Sequence, residues 1–353
     1  MTRLIAIDPE YPDPTLLAAA GAVIQQGGLV AFPTETVYGL GADALNDTAV
    51  SRIFAAKERP FHDPIIVHIA AVADLPRIAR SIPEIAWQLA DQFWPGPLTL
   101  VLPRHTAVPD SITANGPTVA VRCPDHPLAL ALLQAAGTPI GAPSANRFSH
   151  TSPTTAQHVL ADLDGRIDLI LDGGPTPIGV ESTVLDLTGV ANGAPPRLLR
   201  PGGVTVEVLT AVLGPIDLVS RQGQRSNATL PSPGLLDRHY APRSELRLFV
   251  GEDEVVRLAM QQAARSIMAT GQRVALLLAN EDSPYFAADT FPDRALVGSL
   301  ADPGSVARNL FRVLRELDEK RPFLILARDF PPQGLGLAIQ DRLRRAAARI
   351  IRC

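Results

Sequence analysis

The segment Pro33–Gly41, PTETVYGLG, follows the apolar run Leu29–Phe32 and is the most informative stretch for the fold of the N-terminal half. The apolar run predicts a short buried strand, and the polar Pro-Thr-Glu-Thr sequence predicts a turn directly after it. Gly39, Gly41 and Ala44 form a GxGxxA pattern, which in dinucleotide-binding proteins joins a strand directly to a helix. Here a polar turn precedes the glycines, so we assign no dinucleotide site. The sequence also has no GxxxxGK[ST] phosphate loop, so any ATP must bind without one.

Strand-like runs alternate with helical patterns on both sides of this segment. Ala49–Lys57 has apolar residues at helical spacing, whereas Leu98–Leu102 and Val119–Arg122 are apolar runs of strand length. This alternation predicts an α/β domain over residues 1–212, built on a twisted mixed sheet with helices.

The second part of the chain begins with a change in composition. Residues 222–244 are rich in Pro, Gly, Ser and Arg and have little periodicity, which predicts a linker, and we place the whole linker and lid at residues 213–244. The alternation then restarts and ends in a basic segment, Leu337–Ile351, for which we predict a helix. We therefore expect a smaller Rossmann-like α/β domain over residues 245–353.

Composition narrows the class of protein. The chain has 353 residues, of which 46% are hydrophobic and 19% charged, and this suits about two globular domains. Its net charge of -4 disfavours general nucleic-acid binding. The two cysteines, Cys123 and Cys353, form no CxxC pair, so neither a zinc site nor a disulfide framework is indicated. No signal peptide or membrane-spanning run is expected, which favours a cytoplasmic protein.

Two short motifs are candidates for ligand binding. Lys57-Glu58-Arg59-Pro60 puts two cations at a predicted helix end, where both side chains can enter one cleft. The alternative is a solvated helix C-terminus, where cations are favoured anyway. Pro143-Ser144-Ala145-Asn146 follows a predicted strand, a common place for ligand sites in α/β sheets, although an ordinary turn has the same composition. Each motif taken alone fits the ordinary interpretation better.

The motifs together are more specific. PTETVYGLG, KERP (57–60), VHI (67–69), VRCP (121–124) and APSAN (142–146) follow one another in a fixed order. They are followed by ESTVLD from Glu181, LLRPGG from Leu198, SPGLLDRHYAP from Ser232 and GLGLAIQDRL from Gly334. With these motifs the chain resembles the YrdC/Sua5 family of L-threonylcarbamoyladenylate synthases, in its longer, two-domain Sua5 type.

The resemblance implies a reaction. The amine of L-threonine is carboxylated by bicarbonate or CO2, and the carbamate oxygen attacks the α-phosphate of ATP. Pyrophosphate leaves and threonylcarbamoyl-AMP forms, so the enzyme is a nucleotidyltransferase. A downstream threonylcarbamoyl-transferase complex then modifies adenosine 37 of tRNA, and we expect direct tRNA binding by this chain to be weak or absent. Mg²⁺ is expected with ATP, without a dedicated carboxylate site in the protein.

The resemblance also implies the site residues. The catalytic set is Lys57, Arg59, Ser144 and Asn146. The ATP-binding set is Lys57, Arg59, Asp63, Thr118, Ser144, Ser152, Arg200 and Tyr240, with Tyr240 and the linker forming a lid that excludes water from the product. The threonine-binding set is Thr34, Thr36, His68, Arg122, Ala142 and Ser182, with Arg122 on the carboxylate.

Ordinary interpretations remain open for several of these residues. Arg122 can be a structural ion pair, His68 a buried histidine with its hydrogen bonds satisfied, Ser182 the start of a strand, and Tyr240 a packing residue of the linker. Thr34 and Thr36 alternate in the chain, so one of them is expected to contact threonine. Asp63 departs from the family pattern, which commonly has Asn near this position; the acid can reach a metal or ribose, or weaken phosphate binding.

Two other functions use a similar domain. Hydrogenase-maturation carbamoyltransferases contain it, but they also carry zinc-finger cysteines and an acylphosphatase-like part, which this sequence lacks. An RNA-binding module with a basic concave face is the non-enzymatic alternative, and the acidic net charge speaks against it.

Overall fold

The computed structural model describes residues 1–219 and 239–353. The described residues form two compact units, one of residues 1–148 and 152–219 and the other of residues 149–151 and 239–353. Most of the linker and lid predicted over 213–244 lies outside the described residues.

The first unit is built on one sheet of eleven strands within the described part of the chain. The strands are β1 (Arg3–Ala6), β2 (Val30–Phe32), β3 (Gly39–Asp43), β4 (Val67–His68), β5 (Leu98–Pro103), β6 (Thr118–Arg122), β7 (Ile140–Gly141), β8 (Leu169–Asp172), β9 (Thr183–Asp186), β10 (Arg197–Arg200) and β11 (Asp217–Leu218). Their order is β1-β8-β2-β3-β7-β4-β6-β5-β9-β10-β11, with both parallel and antiparallel neighbours. The predicted mixed sheet is therefore confirmed.

Helices connect these strands. They are α1 (Pro14–Gln25), α2 (Asp47–Lys57), α3 (Glu84–Phe93), α4 (Asp110–Thr113), α5 (Pro127–Ala136), α6 (Ala156–Leu163) and α7 (Val206–Leu213). Helix α2 begins at the cap residue Asn46, whose side chain accepts a hydrogen bond from the backbone N–H of Ala49. It ends at Glu58, which has a left-handed φ of 57° and turns the chain away before Pro60. The two cations of the KERP motif thus lie on either side of a sharp helix end.

The glycines of PTETVYGLG serve sheet packing. Gly39 and Gly41 lie inside β3, and β3 pairs antiparallel with β2. A Cβ on Gly41 would lie 2.7 Å from Ile140 Cγ2 and 2.8 Å from Phe32 Cε1, so only glycine fits at that position. The rejection of a dinucleotide turn is consistent with this geometry, because no helix begins at these glycines.

The second unit has a five-stranded sheet in which every neighbouring pair is parallel. Its elements are β12 (Glu245–Val250), α8 (Asp253–Met268), β13 (Val274–Leu278), β14 (Arg294–Leu296), α9 (Pro303–Glu319), β15 (Leu324–Arg328), α10 (Gly336–Ala346) and β16 (Arg349–Arg352). The strand order is β14-β13-β15-β12-β16. This arrangement confirms the predicted Rossmann-like α/β domain.

One predicted element of the second unit is wrong at its end. The helix predicted over Leu337–Ile351 stops at Ala346, and the chain leaves helical geometry at Ala347. Residues 349–352 then form β16, which pairs with β12 at the edge of the sheet. Pairing with β12 and the β-branched Ile350 and Ile351 favour a strand here over further helical turns.

Among residues 1–219 and 239–353, no helix is long and apolar enough to cross a membrane.

Candidate active site

Strand alternation separates a core face from a site face in the first unit. Leu100, Leu102, Val119 and Val121 belong to the main hydrophobic core, whereas Val101 and Ala120 belong to a small apolar cluster on the opposite face. Side chains of a strand alternate between the two faces, so Thr99 of β5 and Thr118 and Arg122 of β6 lie on the face of that small cluster. Polar and charged side chains of neighbouring strands therefore converge over a floor of five apolar residues, Ile66, Val101, Ala120, Val184 and Leu199.

Arg122 is the centre of a buried polar cluster at the end of β6. Its Nη1 donates to Glu35 Oε1 at 2.7 Å, its Nε to His68 Nε2 at 3.0 Å and its Nη2 to Thr36 Oγ1 at 3.2 Å. The side chain is only 4% exposed. His68 is placed beside it because β4 and β6 are parallel neighbours with His68 opposite Arg122.

Thr34 and Thr36 have different surroundings. The Thr34 hydroxyl donates to the Val37 carbonyl at 2.7 Å, which leaves its oxygen to accept from the Thr36 hydroxyl at 2.8 Å. The Thr36 oxygen in turn accepts from Arg122. Thr34 therefore holds the turn, and Thr36 is the threonine that reaches the cluster.

Burial sets the protonation of this cluster. Burial, and then the positive charge of Arg122, lower the pKa of His68 well below its usual value, so the ring is neutral near pH 7. Nε2 accepts from Arg122, so the neutral ring carries its proton on Nδ1. Burial raises the pKa of the Glu35 carboxyl, and the neighbouring Arg122 opposes that rise. The hydrogen bond at 2.7 Å is that of an ion pair, so we treat Glu35 as charged.

A second group surrounds the end of α2. Lys57 is 1% exposed, and its Nζ donates to the carbonyl oxygens of Ser144, at 2.6 Å, and of Asn146. The ammonium thus fixes the Pro143–Asn146 loop. Among the described residues, the hydroxyl of Ser144 forms no hydrogen bond, and this residue is only half-buried. A donor is therefore presented beside the lysine.

Arg59 is paired with Asp63. Its Nη2 lies 2.9 Å from Asp63 Oδ2 and donates to the Pro64 carbonyl at 2.6 Å, while its Nε donates to the Asp63 carbonyl at 3.1 Å. Burial raises the pKa of the Asp63 carboxyl, against the opposing effect of Arg59, Lys57 and Arg200. Asp63 is thus the counter-ion of Arg59, and the three cations lie close enough to act on the same carboxyl.

Arg200 connects the two groups. At the end of β10, its Nη2 donates to the Ser182 carbonyl at 2.8 Å and to the Ser182 hydroxyl at 3.1 Å. The Ser182 hydroxyl also shares a hydrogen bond of 2.8 Å with Thr99 Oγ1. Since Thr99 and Arg122 lie on the same face of adjacent strands, the Arg122 cluster and the Lys57–Arg59 group occupy one side of the sheet.

The remaining predicted residues are placed as follows. Ser152 is fully buried and donates to Glu181 Oε1 at 2.5 Å. The Ala142 backbone N–H donates to the Ile66 carbonyl at 2.9 Å. Thr118 lies on the same face as Arg122 but at the other end of β6, about 13 Å away along the strand.

Tyr240 belongs to the second unit. Its ring is 1% exposed and stacks on Phe311 at a centroid distance of 5.7 Å, with the Arg342 guanidinium 5.0 Å from its centroid. Its predicted role over the nucleotide stays a prediction, as do the roles of Thr118 and Ser152.

The described residues contain no group of three or more His, Cys, Asp or Glu side chains arranged to hold a metal ion. Asp63, the one carboxylate among the predicted nucleotide ligands, is engaged by Arg59. These residues do not fit a protein-bound Mg²⁺.

Three polar residues of the site were not predicted from the sequence: Glu35, Thr99 and Glu181. Glu35 lies inside the PTET segment itself, so its position was a usable signal. Electrostatic reasoning about anionic ligands favours cations and polar donors, and so it does not point to an acid. Thr99 stands in an apolar strand, and only its alternation with Leu98 and Leu100 marks the face on which it lies.

Comparison with known proteins identifies the family of the chain. A family model described as telomere recombination (Sua5_yciO_yrdC) matches residues 22–202, and one described as threonylcarbamoyl-AMP synthase, C-terminal domain, matches residues 204–348. Relatives named threonylcarbamoyl-AMP synthase include one from Pyrococcus abyssi, 44% identical with all of both chains covered. Another, from Bacillus subtilis, is 45% identical over 95% of this chain and 94% of its own.

A solved structure gives the same result. The crystal structure of P. abyssi Sua5 complexed with L-threonine superposes with a TM-score of 0.92 at 43% identity, and it covers 100% of both chains. The chain belongs to the two-domain Sua5 family. The family predicted from the motifs is thereby confirmed.

Proposed function

We propose that this chain is a threonylcarbamoyl-AMP synthase that makes its product from L-threonine, bicarbonate or CO2, and ATP. The observation that carries the proposal is the set of buried cations, Lys57, Arg59, Arg122 and Arg200, on one side of the first unit's sheet. ATP, bicarbonate and the threonine carboxylate carry negative charge, and bringing them together costs several kcal/mol of repulsion unless fixed positive charge offsets it. The full-length relatives with this name support the same assignment.

Threonine is assigned to the Arg122 cluster. A guanidinium has five N–H donors, and three of those on Arg122 are used by Glu35, His68 and Thr36. One N–H on each terminal nitrogen thus remains for a carboxylate, for which Arg is well suited. The P. abyssi relative was solved with L-threonine bound, which supports an amino-acid site in the family. We assign Thr36, the Ala142 backbone and Ser182 to the rest of this site.

The nucleotide is assigned to the Lys57–Arg59 group. Lys57 keeps the Ser144 and Asn146 loop in place, and the Ser144 hydroxyl is available to a phosphate oxygen. Arg59 and Arg200 add positive charge near the same point, and Ser152 and Thr118 are proposed as further contacts. These cations are already oriented by protein acceptors, so little reorganisation is needed when charge shifts in the transition state.

The chemistry follows from that placement. The carbamate oxygen attacks the α-phosphorus, the bond to the pyrophosphate leaving group breaks, and the cations stabilise the negative charge on the phosphate oxygens. The protein supplies position and charge, and the site needs no covalent intermediate. We propose that Mg²⁺ arrives with ATP on its phosphate oxygens; it neutralises phosphate charge there, and no residue is assigned to hold it.

The setting of the reaction is part of the proposal. We infer that the product passes to a threonylcarbamoyl-transferase complex acting on tRNA, and that this takes place in the cytoplasm. Most of the predicted lid lies outside the described residues. We keep a nucleotide contact of Tyr240 as a proposal, because a mixed anhydride hydrolyses unless water is excluded.

The test is a pyrophosphate-release assay on the purified chain. Release from ATP must require both threonine and bicarbonate, and mass spectrometry must detect threonylcarbamoyl-AMP. Release that is independent of threonine, or use of carbamoyl phosphate in its place, would remove the proposal.

A further inference from the structure

The Arg122 cluster contains a buried acceptor that the carboxylate-binding role does not use. Glu35 Oε1 accepts from Arg122, but Oε2 of the same carboxylate is buried and forms no hydrogen bond with any described residue. The backbone N–H groups of Glu35 and Asp125 lie near enough to favour the charged carboxylate, yet neither forms a hydrogen bond with Oε2. A buried carboxylate oxygen without a donor is costly, and such a group calls for an explanation.

The charges of the cluster specify the kind of ligand that fits. Arg122 and Glu35 are both about 5% exposed and form a neutral pair, and His68 beside them is neutral. A ligand that offered only a carboxylate would leave one uncompensated negative charge in this buried place, which is strongly unfavourable. A zwitterion adds one charge of each sign, so the cluster stays neutral.

The geometry of an α-amino acid agrees with that balance. Its ammonium is attached to the carbon next to its carboxylate, so a site that binds the carboxylate has the ammonium close by. The carboxylate needs donors, which the two remaining N–H groups of Arg122 supply, and the ammonium needs an acceptor. Glu35 Oε2 belongs to a carboxylate already in contact with the same guanidinium.

We propose that Glu35 Oε2 accepts a hydrogen bond from the ammonium group of the amino-acid substrate, and that Glu35 thereby selects an amino acid over a simple hydroxy acid. This inference rests on the proposed function, in which threonine binds at Arg122. Glu35 is then a substrate-binding residue and contributes more than the orientation of Arg122.

Two ligands that differ in one group test the inference: threonine and 2,3-dihydroxybutyrate, which has a hydroxyl where threonine has its ammonium. Isothermal titration calorimetry measures both affinities for the wild type, Glu35→Gln and the control Glu84→Gln, an exposed glutamate on α3. We expect Glu35→Gln to weaken threonine by roughly 10- to 100-fold, the value of a hydrogen bond between charged groups. The same variant should bind the hydroxy acid more tightly than the wild type does, because the uncompensated charge is gone.

The outcomes separate the possible roles. If Glu35→Gln loses affinity equally for both ligands, Glu35 only orients Arg122. If its threonine affinity is unchanged, Glu35 does not contact the substrate. Either result overturns the inference while the proposed function stands. A wild type that binds no threonine refutes the proposed function itself. If Glu35→Gln does not fold, Glu35→Asp keeps the charge and must keep the preference for threonine. A wild type with equal affinity for both ligands also overturns the inference.

Discussion

Replacing Arg122 by alanine tests two roles of this side chain: its ion pair with Glu35 and its proposed binding of the threonine carboxylate. The substitution leaves the Glu35 carboxylate, 5% exposed, without its counter-ion. Removing one partner of a buried ion pair costs about 3–5 kcal/mol of unfolding free energy. The double variant Arg122→Ala/Glu35→Gln removes the stranded charge, so we expect it to regain most of that loss.

Threonine binding should respond differently. In the proposed site, two N–H groups of Arg122 bind the substrate carboxylate, and hydrogen bonds to charged groups contribute about 1.5–3 kcal/mol each. Loss of both weakens threonine by at least about 100-fold, since 1.4 kcal/mol corresponds to a factor of ten. The double variant lacks the same donors, so its stability should recover while its threonine affinity does not.

The measurements are urea denaturation followed by circular dichroism, and calorimetric titration with threonine and with a non-hydrolysable ATP analogue. Binding of the analogue serves as the internal control, because Arg122 lies in the threonine half of the site. A folded Arg122→Ala variant that binds threonine as the wild type does would refute the reasoning. So would a double variant that regains both stability and threonine affinity.

Further predictions concern other buried charges. Lys57→Ala removes the donor to the Pro143–Asn146 loop and should weaken ATP by at least about tenfold, more than it weakens threonine; equal losses in paired titrations would assign the lysine to structure alone. Asp63→Asn removes the negative charge beside Arg59 and should tighten ATP by roughly three- to tenfold while lowering stability, and weaker ATP binding in calorimetry would contradict this. Burial lowers the pKa of His126 to about 4. In the unfolded chain the histidine pKa is about 6.5, so between about pH 6.5 and 4 the unfolded chain takes up a proton that the folded protein does not. The contribution of neutral His126 to the unfolding free energy is therefore fully present above about pH 6.5 and is lost as pH falls toward 4. Over that pH interval, the unfolding free energy of His126→Gln should fall by about 3 kcal/mol less than that of the wild type. An equal fall of the unfolding free energy in the two proteins, measured by denaturation at each pH, would contradict this.

Local signals were sufficient for the elements with clear periodicity. The sequence predicts helix α2 over Ala49–Lys57, and it is observed over Asp47–Lys57; the predicted strand Leu98–Leu102 is observed as β5, Leu98–Pro103. The spacing of Val50, Ile53 and Phe54 points one face of α2 into the core.

Elements formed by pairing across the sheet were harder to predict. Strand β3 contains Gly39 and Gly41, which have low strand propensity, and the close approach of Gly41 to Ile140 is visible only in three dimensions. Strand β16 was missed because its partner, β12, is a hundred residues away in the chain. Sequence periodicity carries no information about such a partner.

The same limit applies to the site. The cations were identified from motifs, but the sequence did not reveal that each has a fixed partner: Glu35 for Arg122, Asp63 for Arg59 and the Ser182 carbonyl for Arg200. Two of these partners are acids in a site for anions, and electrostatic reasoning on the ligands alone points away from them. Buried cations need compensation before a ligand arrives, and that requirement belongs to the folded state.

The alternation of faces along β6 has a consequence for how this protein can diverge. A single residue inserted between Thr118 and Val121 would move the Arg122 guanidinium to the core face of the sheet and bring Val121 to the face of the candidate site. Insertions and deletions should therefore be tolerated between the strands and rejected within this one. The spacing of the five residues of β6 therefore matters as much to the candidate site as the arginine that ends the strand.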